Sequence, residues 1–174
     1  MSIPNDFEVK YTLAFCIFKK KVLMIFRKNP PNANLWNGLG GKIEKGETPS
    51  ENIKRELLEE AGIEVKVSKK DYKGIVKWNI HDEKKIGGTY LFIIHLDEVT
   101  TNSINFDSNE GSLEWKHHSW VSDLKNTELV ENIPYFFPKA VIANEPKIYE
   151  FFYQTSNQLI QHSVSELPGF PAYR

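Results

Sequence analysis

The sequence contains very little cysteine and almost no excess of charge of either sign. Its single cysteine, Cys16, lies in an apolar run and has no second cysteine in the chain to pair with. A fold held together by internal disulfides is therefore excluded, and we expect a buried thiol in a reducing cytoplasm. The formal net charge is −1, which argues against binding to nucleic acid polymers or anionic membranes over a broad surface.

Long apolar segments, internal repeats and low-complexity tracts are also absent. The apolar run at residues 11–18 is much shorter than the roughly 18 residues that span a bilayer, and the first residues lack the basic stretch of a signal peptide. With 174 residues, 40% hydrophobic and 26% charged, the chain has an ordinary globular composition. We expect a single cytoplasmic domain over residues 1–174 with no membrane partner; the oligomeric state is left open.

The pattern of apolar and polar residues predicts several strands. They are expected at residues 8–18, 22–26, 74–80, 89–96 and 113–121. Residues 29–34 contain two prolines and three asparagines and are predicted to form a loop. A polar turn containing Gly87 and Gly88 is expected between the third and fourth strands.

The later part of the chain is rich in aromatic residues. We expect a helix over residues 135–152, interrupted near Pro146, whereas the tail at residues 162–174 receives no assignment.

The strongest helix signal begins at Pro49, a residue that suits the first helical position. Thr48 can cap the helix, and Glu51 completes a Thr-x-x-Glu capping box. Gly62 follows the last residue of the helical pattern, as is typical of a helix end. Strands before and after one strong helix indicate the α+β fold class.

This helix carries three carboxylates along one edge. Glu56 lies three residues before Glu59 and four before Glu60, so the side chains stack on one flank, and Asn52 lies one turn earlier. Like charges at this spacing destabilise an isolated helix. A solvated acidic face is one interpretation; the other is a hard cation such as Mg²⁺, which binds oxygen ligands.

The spacing around these carboxylates decides between the two interpretations. Gly41, Glu47, Arg55-Glu56-Leu57, Glu59-Glu60 and Gly62-Ile63, separated by five, seven, one and one residues, match the Nudix box at every defined position. A chance match is on the order of one in ten million or rarer. The sequence therefore resembles the Nudix hydrolase family, and its MutT-like members in particular. The resemblance implies a Nudix-type α/β/α sandwich with a mixed β-sheet and a loop–helix motif.

The resemblance also implies a metal-dependent pyrophosphohydrolase. Glu56, Glu59 and Glu60 correspond to metal ligands, with the backbone carbonyl of Gly40 as a further ligand. The expected ion is Mg²⁺, with Mn²⁺ as an alternative. A bound ion of this kind neutralises phosphate charge and lowers the pKa of a coordinated water.

Other residues near the box receive supporting roles from the same resemblance. Glu47 is expected to pair with Arg55 and to hold the loop against the helix. Lys42 is expected either to neutralise phosphate charge or to be merely solvated.

A further acidic residue often completes such sites. Residues 109–115 resemble the Glu-Gly…Glu-Trp segment of MutT-type members, which favours Glu110 over the alternative Glu114. Either Glu59 or Glu110 would take the proton from the attacking water.

Two segments bear on the substrate. Residues 36–42 are similar to the corresponding segment of members that remove oxidised purine triphosphates, which implies that Asn37 contacts a base and that Trp36 either walls the pocket or packs beside the loop. Residues 131–138 resemble the segment that supplies base-contacting side chains in those members. The key residues there are acidic, whereas Asn132 and Ile133 stand here.

The resemblance implies a small-molecule nucleotide as partner. The leading hypothesis is hydrolysis of a nucleoside triphosphate, oxidised forms included, to monophosphate and pyrophosphate. A hydrolase of nucleotide sugars or other nucleoside diphosphate derivatives is the alternative. An inactive nucleotide-binding regulatory module is a remote third, because every carboxylate of the box is present.

Overall fold

Eight β-strands and four α-helices make up the part of the chain that the computed structural model describes, residues 7–167. The strands are β1 (Tyr11–Phe18), β2 (Lys21–Arg27), β3 (Trp36–Asn37), β4 (Tyr72–Ile80), β5 (Lys85–His95), β6 (Gly111–His117), β7 (Lys147–Tyr153) and β8 (Leu159–Glu166). The helices are α1 (Pro49–Ala61), α2 (Glu98–Asn102), α3 (His118–Val121) and α4 (Ile133–Ile142), with a short 3₁₀ turn at Lys69–Asp71.

The strands form one mixed sheet. Its order is β3-β2-β1-β5-β4-β7-β8, and β6 pairs with β2. The pairs β1–β5 and β4–β7 are parallel, and the other strand pairs are antiparallel. The expected mixed β-sheet is thus confirmed.

Strands β1 and β2 separate along part of their length, and the chain that follows β3 lies in the gap. The two strands pair only from Cys16↔Leu23 to Phe18↔Lys21. Beyond this point β3 pairs with β2, and β1 forms bridges from Ala14 to Leu39 and from Tyr11 to Lys42. The chain after β3 therefore enters the middle of the sheet.

Hydrophobic residues cover both faces of the sheet, because successive side chains of a strand point to opposite sides. One core packs against α1 and includes Ala14, Cys16, Leu23, Ile25, Ile53, Leu57 and Phe92. The other packs against α3 and α4 and includes Phe15, Met24, Val121, Ile133, Phe136, Phe137 and Phe151. The result is the expected α/β/α sandwich.

The predicted limits of α1 are confirmed. Thr48 accepts a hydrogen bond from the Glu51 backbone N–H, the Glu51 carboxylate accepts one from the Thr48 N–H, and Gly62 ends the helix at φ 67°. The loop expected at residues 29–34 is also present, with Asn32 and Asn34 in left-handed conformations. The first strand begins at Tyr11, three residues later than predicted.

The turn predicted at Gly87 and Gly88 is wrong. The chain reverses at residues 81–84, and both glycines lie within β5. Gly87 is paired with Trp78 across the strands, and a Cβ at Gly87 would lie 2.3 Å from Nε1 of that ring. Glycine is needed here for the close approach of an indole ring.

The helix predicted over residues 135–152 is wrong in its second half. Helix α4 ends at Ile142, and residues 147–153 form β7 instead. Tyr149, Phe151 and Tyr153 of β7 are buried at every second position, which is the period of a strand. The adjacent β8 contains part of the unassigned tail; residues 168–174 lie outside the described residues.

The strand predicted at residues 113–121 is too long. Strand β6 ends at His117, whose ring Nδ1 accepts a hydrogen bond from the Ser119 backbone N–H and so caps α3.

None of the helices within residues 7–167 combines the length and the apolar character required to cross a bilayer.

The contact between β4 and β7 yields a stability prediction. Gly74 has φ 112°, and a Cβ there would lie 1.8 Å from the Lys147 carbonyl oxygen. We expect Gly74→Ala to lower the free energy of unfolding by more than about 3 kcal/mol in urea titrations. Gly46, with φ 86° and no atom within 4 Å of the built Cβ, is the matched control, and Gly46→Ala should cost about 1 kcal/mol. Equal losses would show that the contact with Lys147 is unimportant.

Candidate functional site

The loop between β3 and α1, residues 38–48, lies in the gap between β1 and β2. Backbone hydrogen bonds fix it there: Thr12 N donates to Gly41 O (2.9 Å), and Leu39 exchanges bonds with Ala14 in both directions (2.6 and 2.9 Å). The loop thus continues the sheet before the chain turns into α1.

Two glycines allow the loop to touch both β1 and the helix. Gly40 has φ 151°, and a Cβ there would lie 2.1 Å from the Thr12 carbonyl oxygen. A Cβ at Gly41 would lie 2.3 Å from Oε1 of Glu56. The Glu56 carboxylate therefore packs directly on the loop backbone.

Glu47 and Arg55 join the loop to the helix. The guanidinium donates from Nε to Glu47 Oε1 (2.6 Å) and from a terminal nitrogen to Oε2 (3.2 Å). The hydrogen bonds from Arg55 lower the pKa of Glu47 to about 2, and the same pairing raises the pKa of Arg55. Such a bidentate pair sets both distance and orientation.

Arg55 also touches two carboxylates of its own helix. It lies 3.1 Å from Glu59 Oε2 and 3.3 Å from Glu56 Oε1. These contacts offset part of the repulsion along the acidic edge. The Glu59 side chain is 59% exposed, so its carboxylate is open to water while Arg55 holds it in place.

Glu60 occupies a different environment. It is 3% exposed, and its Oε2 accepts a hydrogen bond from the Gly40 N–H (3.2 Å). Its Oε1 is buried and receives no hydrogen bond from a donor group, and the Glu110 carboxyl lies within hydrogen-bonding reach of Glu60. Burial is the largest cause and the neighbouring Glu110 carboxyl the next, and together they raise the pKa of Glu60 to about 9. Burial also raises the pKa of Glu56.

These donors suit a hard divalent cation. Glu56, Glu60 and Glu110 influence one another electrostatically beside the Gly40–Gly41 backbone, and Mg²⁺ prefers oxygen ligands of this kind. Within residues 7–167, no group of three or more acidic, histidine or cysteine side chains has already converged on one metal position. Like charges repel. A cation placed among these carboxylates would offset their repulsion and would give Oε1 of Glu60 a positively charged partner.

The structure separates the two candidates for the further carboxylate. Glu110 lies in the loop before β6, beside Glu60. Glu114 lies opposite Met24 in the β2–β6 register and pairs with Lys116 at 2.9 Å. Glu114 therefore faces the sheet surface covered by α3 and α4, away from α1.

The residues predicted to contact the substrate lie in three different settings. Lys42 is exposed. Asn37 is half-buried, and its side-chain oxygen accepts a hydrogen bond from Gly38 N (2.8 Å). Asn132 is half-buried at the start of α4 and hydrogen-bonds to Tyr153.

Trp36 is only 8% exposed. Its ring packs against Phe26 and Trp120 at centroid distances of 5.2 and 6.3 Å, and the Lys116 ammonium lies 4.2 Å from its centroid. Trp36 belongs to the core on the α4 side. Its surroundings are those of a packed core side chain.

Asn52 is the residue of this region to which sequence reasoning gave no role. It is fully buried and hydrogen-bonds to Thr12, Lys42 and Glu47. The one feature of the sequence that could have indicated its role is that an uncharged amide stands on the acidic edge of the helix.

A family model described as the NUDIX domain matches residues 10–153. The oxidized purine nucleoside triphosphate hydrolase of Mus musculus is 26% identical over 161 residues, which cover 92% of this chain and 96% of the mouse protein. The crystal structure of a MutT protein from Bacillus halodurans has a TM-score of 0.72 at 27% identity, covering 88% of this chain and 95% of that one.

A more distant structure shares the fold. It is the NUDIX domain of Shewanella oneidensis NrtR in complex with ADP ribose, with a TM-score of 0.56 and 18% identity over 80% of this chain and 92% of that one. The fold and these matches define the class of protein as a hydrolase acting on nucleoside phosphoanhydride bonds. The chain belongs to the Nudix family, whose members generally use divalent metal ions. The family resemblance, the fold class and the enzyme class are thereby confirmed.

The Glu47–Arg55 pair predicts a pH-dependent loss of stability. We expect Glu47→Gln to lower the free energy of unfolding at pH 7 by about 1.5–3 kcal/mol, the range for charge-assisted hydrogen bonds. Because the folded pKa of about 2 lies below the ordinary 4.5, this contribution is complete above pH 4.5. It disappears as the pH falls towards 2. Urea titrations between pH 7 and pH 2.5 measure it.

Glu44→Gln is the matched control, because Glu44 is exposed and lies 3.8 Å from Arg55. It should change stability by less than about 1 kcal/mol. A loss in Glu47→Gln that stays constant down to pH 2.5 would contradict the assigned cause.

The buried position of Glu60 predicts opposite effects with and without metal. Glu60→Gln should raise the melting temperature in EDTA at pH 7, because Glu60, with a folded pKa of about 9, must take up a proton on folding, whereas an amide is neutral in both states. The variant should also lose most of the stabilisation by Mg²⁺. Thermal unfolding with EDTA and with saturating Mg²⁺ tests both, with exposed Glu64→Gln as control. A wild-type response to Mg²⁺ in Glu60→Gln would exclude Glu60 as a ligand.

Proposed function

We propose that the protein is a Mg²⁺-dependent pyrophosphohydrolase that converts a nucleoside triphosphate to the monophosphate and pyrophosphate, with oxidised purine nucleotides as the leading substrates. The observation that carries this proposal is the burial of the Glu60 carboxyl against the Glu110 carboxyl and the loop backbone, with Oε1 of Glu60 receiving no hydrogen bond from a donor group. A carboxylate in such a position calls for a cation, and a diphosphate group is a natural further ligand for that cation.

The proposed metal ligands are Glu56, Glu59, Glu60, Glu110 and the carbonyl of Gly40. When bound, Mg²⁺ or Mn²⁺ would supply positive charge to the phosphates and acidify a coordinated water. Arg55 and Glu47 hold the ligands and do not touch substrate in this scheme. Lys42 is exposed at the same loop and is proposed to attract the phosphate chain.

We assign the general base to Glu59 and a ligand role to Glu110. The Glu59 carboxylate is open to water and is oriented by Arg55 at 3.1 Å. Glu110 instead lies against the buried Glu60. A base must reach the proton of the attacking water directly or through one further water, which favours the accessible carboxylate.

The nucleoside is proposed to lie near β3 and the start of α4, where Asn37 and Asn132 stand. Asn37 and Asn132 offer amide groups that can hydrogen-bond a base, and Trp36 precedes Asn37 in β3 with its ring in the core. A purine triphosphate is favoured because the similar mouse protein is named for that substrate and is matched over nearly its whole length. The amide Asn132 would read a base edge as both donor and acceptor.

A substrate screen tests this function. Wild-type protein with Mg²⁺ is incubated with 8-oxo-dGTP, dGTP, ATP, ADP-ribose and UDP-glucose, and the products are separated by chromatography. We expect monophosphate and pyrophosphate from a purine triphosphate. Turnover of ADP-ribose or UDP-glucose alone would overturn the proposed substrate class.

The role of Glu59 is tested in the same assay. Glu59→Gln should lower kcat by about 10²- to 10⁴-fold, the usual contribution of a general base, with little change in nucleotide binding. Glu64→Gln, an exposed glutamate just beyond α1, is the control and should retain wild-type turnover. Wild-type turnover in Glu59→Gln would refute the role of Glu59.

A further inference from the structure

Asn52 is an uncharged polar side chain on the buried side of α1. It lies on α1 one turn before Glu56 and has no exposed surface. Its amide nitrogen donates to the Lys42 carbonyl (2.8 Å) and to Glu47 Oε2 (2.8 Å). Its oxygen accepts a hydrogen bond from the Thr12 hydroxyl (2.5 Å).

The chemistry of the three partners fixes the orientation of this amide. A backbone carbonyl and a carboxylate can only accept hydrogen bonds, so both must face the amide nitrogen. The amide oxygen then faces Thr12, and the hydroxyl must be the donor. All the amide protons of Asn52 are used, which makes this a satisfied buried network with one geometry.

The network joins three elements that build the site. Thr12 belongs to β1 and also binds Gly41 through its backbone N–H. Lys42 and Glu47 belong to the loop, and Asn52 belongs to the helix. Residues 41–42 are therefore held by β1 on one side and by α1 on the other.

Glu47 is the link from Asn52 to the acidic edge. Its Oε2 accepts hydrogen bonds from both Asn52 and Arg55, at 2.8 and 3.2 Å. Arg55 in turn contacts Glu56 and Glu59. A shift of Glu47 would therefore move the guanidinium that orients two carboxylates.

We propose that Asn52, oriented by Thr12, is a positioning residue that sets the loop and the Arg55-bound carboxylates for metal binding and turnover. The inference rests on the proposed function for its effect on turnover. Asn52 does not touch substrate; it acts through Lys42 and Glu47. Partners that orient metal ligands typically change metal affinity or activity by about 10- to 100-fold when removed.

Two substitutions remove different parts of the network. Asn52→Leu is close in volume and removes all three hydrogen bonds. Thr12→Val keeps the shape of the side chain and removes only the donor to Asn52. Thr12→Ser restores the hydroxyl. Thr89→Val is the matched control, because Thr89 is also buried and its hydroxyl bonds only to the adjacent Tyr90 carbonyl.

The measurements separate positioning from simple stability. Mn²⁺ affinity is measured by electron paramagnetic resonance on folded protein without nucleotide, and kcat and KM with 8-oxo-dGTP and Mg²⁺. Asn52→Leu should weaken Mn²⁺ binding by about 10-fold and lower kcat by about 10- to 100-fold, with KM within about threefold. Thr12→Val should show smaller losses in the same direction, Thr12→Ser should recover most of them, and Thr89→Val should show none.

The outcomes are distinguishable from a failure of the proposed function. If wild type turns over no triphosphate, that substrate class is wrong, and the Mn²⁺ affinities alone decide about Asn52. Wild-type Mn²⁺ affinity in both Asn52→Leu and Thr12→Val would overturn the inference, as would Thr12→Ser being as impaired as Thr12→Val. If Asn52→Leu does not fold, the three threonine variants carry the test.

Discussion

The structure around the site depends on the concentration of carboxylates beside a backbone loop. Glu56 and Glu60 are withdrawn from water, and Glu110 adds a further negative charge next to Glu60. Arg55 offsets part of this charge through three carboxylate contacts, but Oε1 of Glu60 receives no hydrogen bond from a donor group. Burying carboxyl groups without a counter-charge is unfavourable, so this arrangement is suited to binding a cation.

The rest of the fold supplies the rigidity that such an arrangement needs. The loop is held as part of the sheet because β1 and β2 separate and admit residues 39–42. Helix α1 is fixed by its caps at both ends and by an apolar face that packs into the core. The carboxylates that repel one another are thus attached to a backbone that cannot move to separate them. The cost of their repulsion is offset by the burial of apolar residues elsewhere in the fold.

Sequence reasoning succeeded where local rules decide. The caps of α1 follow from Thr48, Glu51 and Gly62 alone, and the box spacing identified the family. The sequence-based predictions were wrong where the local structure is determined by a residue that is distant in the chain. Gly87 suggested a turn, but its cross-strand neighbour Trp78 explains it, and residues 147–153 became a strand because β4 and β8 pair with them. Asn52 had no visible role because its partner Thr12 is 40 positions away.

The residues that the proposed function assigns to chemistry and to base recognition belong to different structural elements. The carboxylates belong to α1 and to the loop before β6, whereas Trp36 and Ile133 belong to the core on the α4 side and Asn132 directly precedes α4. Under the proposed function, a change at residues 132–133 would alter which base is accepted without moving a carboxylate. The sequence resemblance implies acidic residues in family members at the positions where Asn132 and Ile133 stand here. An amide and an aliphatic side chain present a different hydrogen-bonding edge from two carboxyls. The proposed function therefore combines the chemistry of those family members with a different base preference.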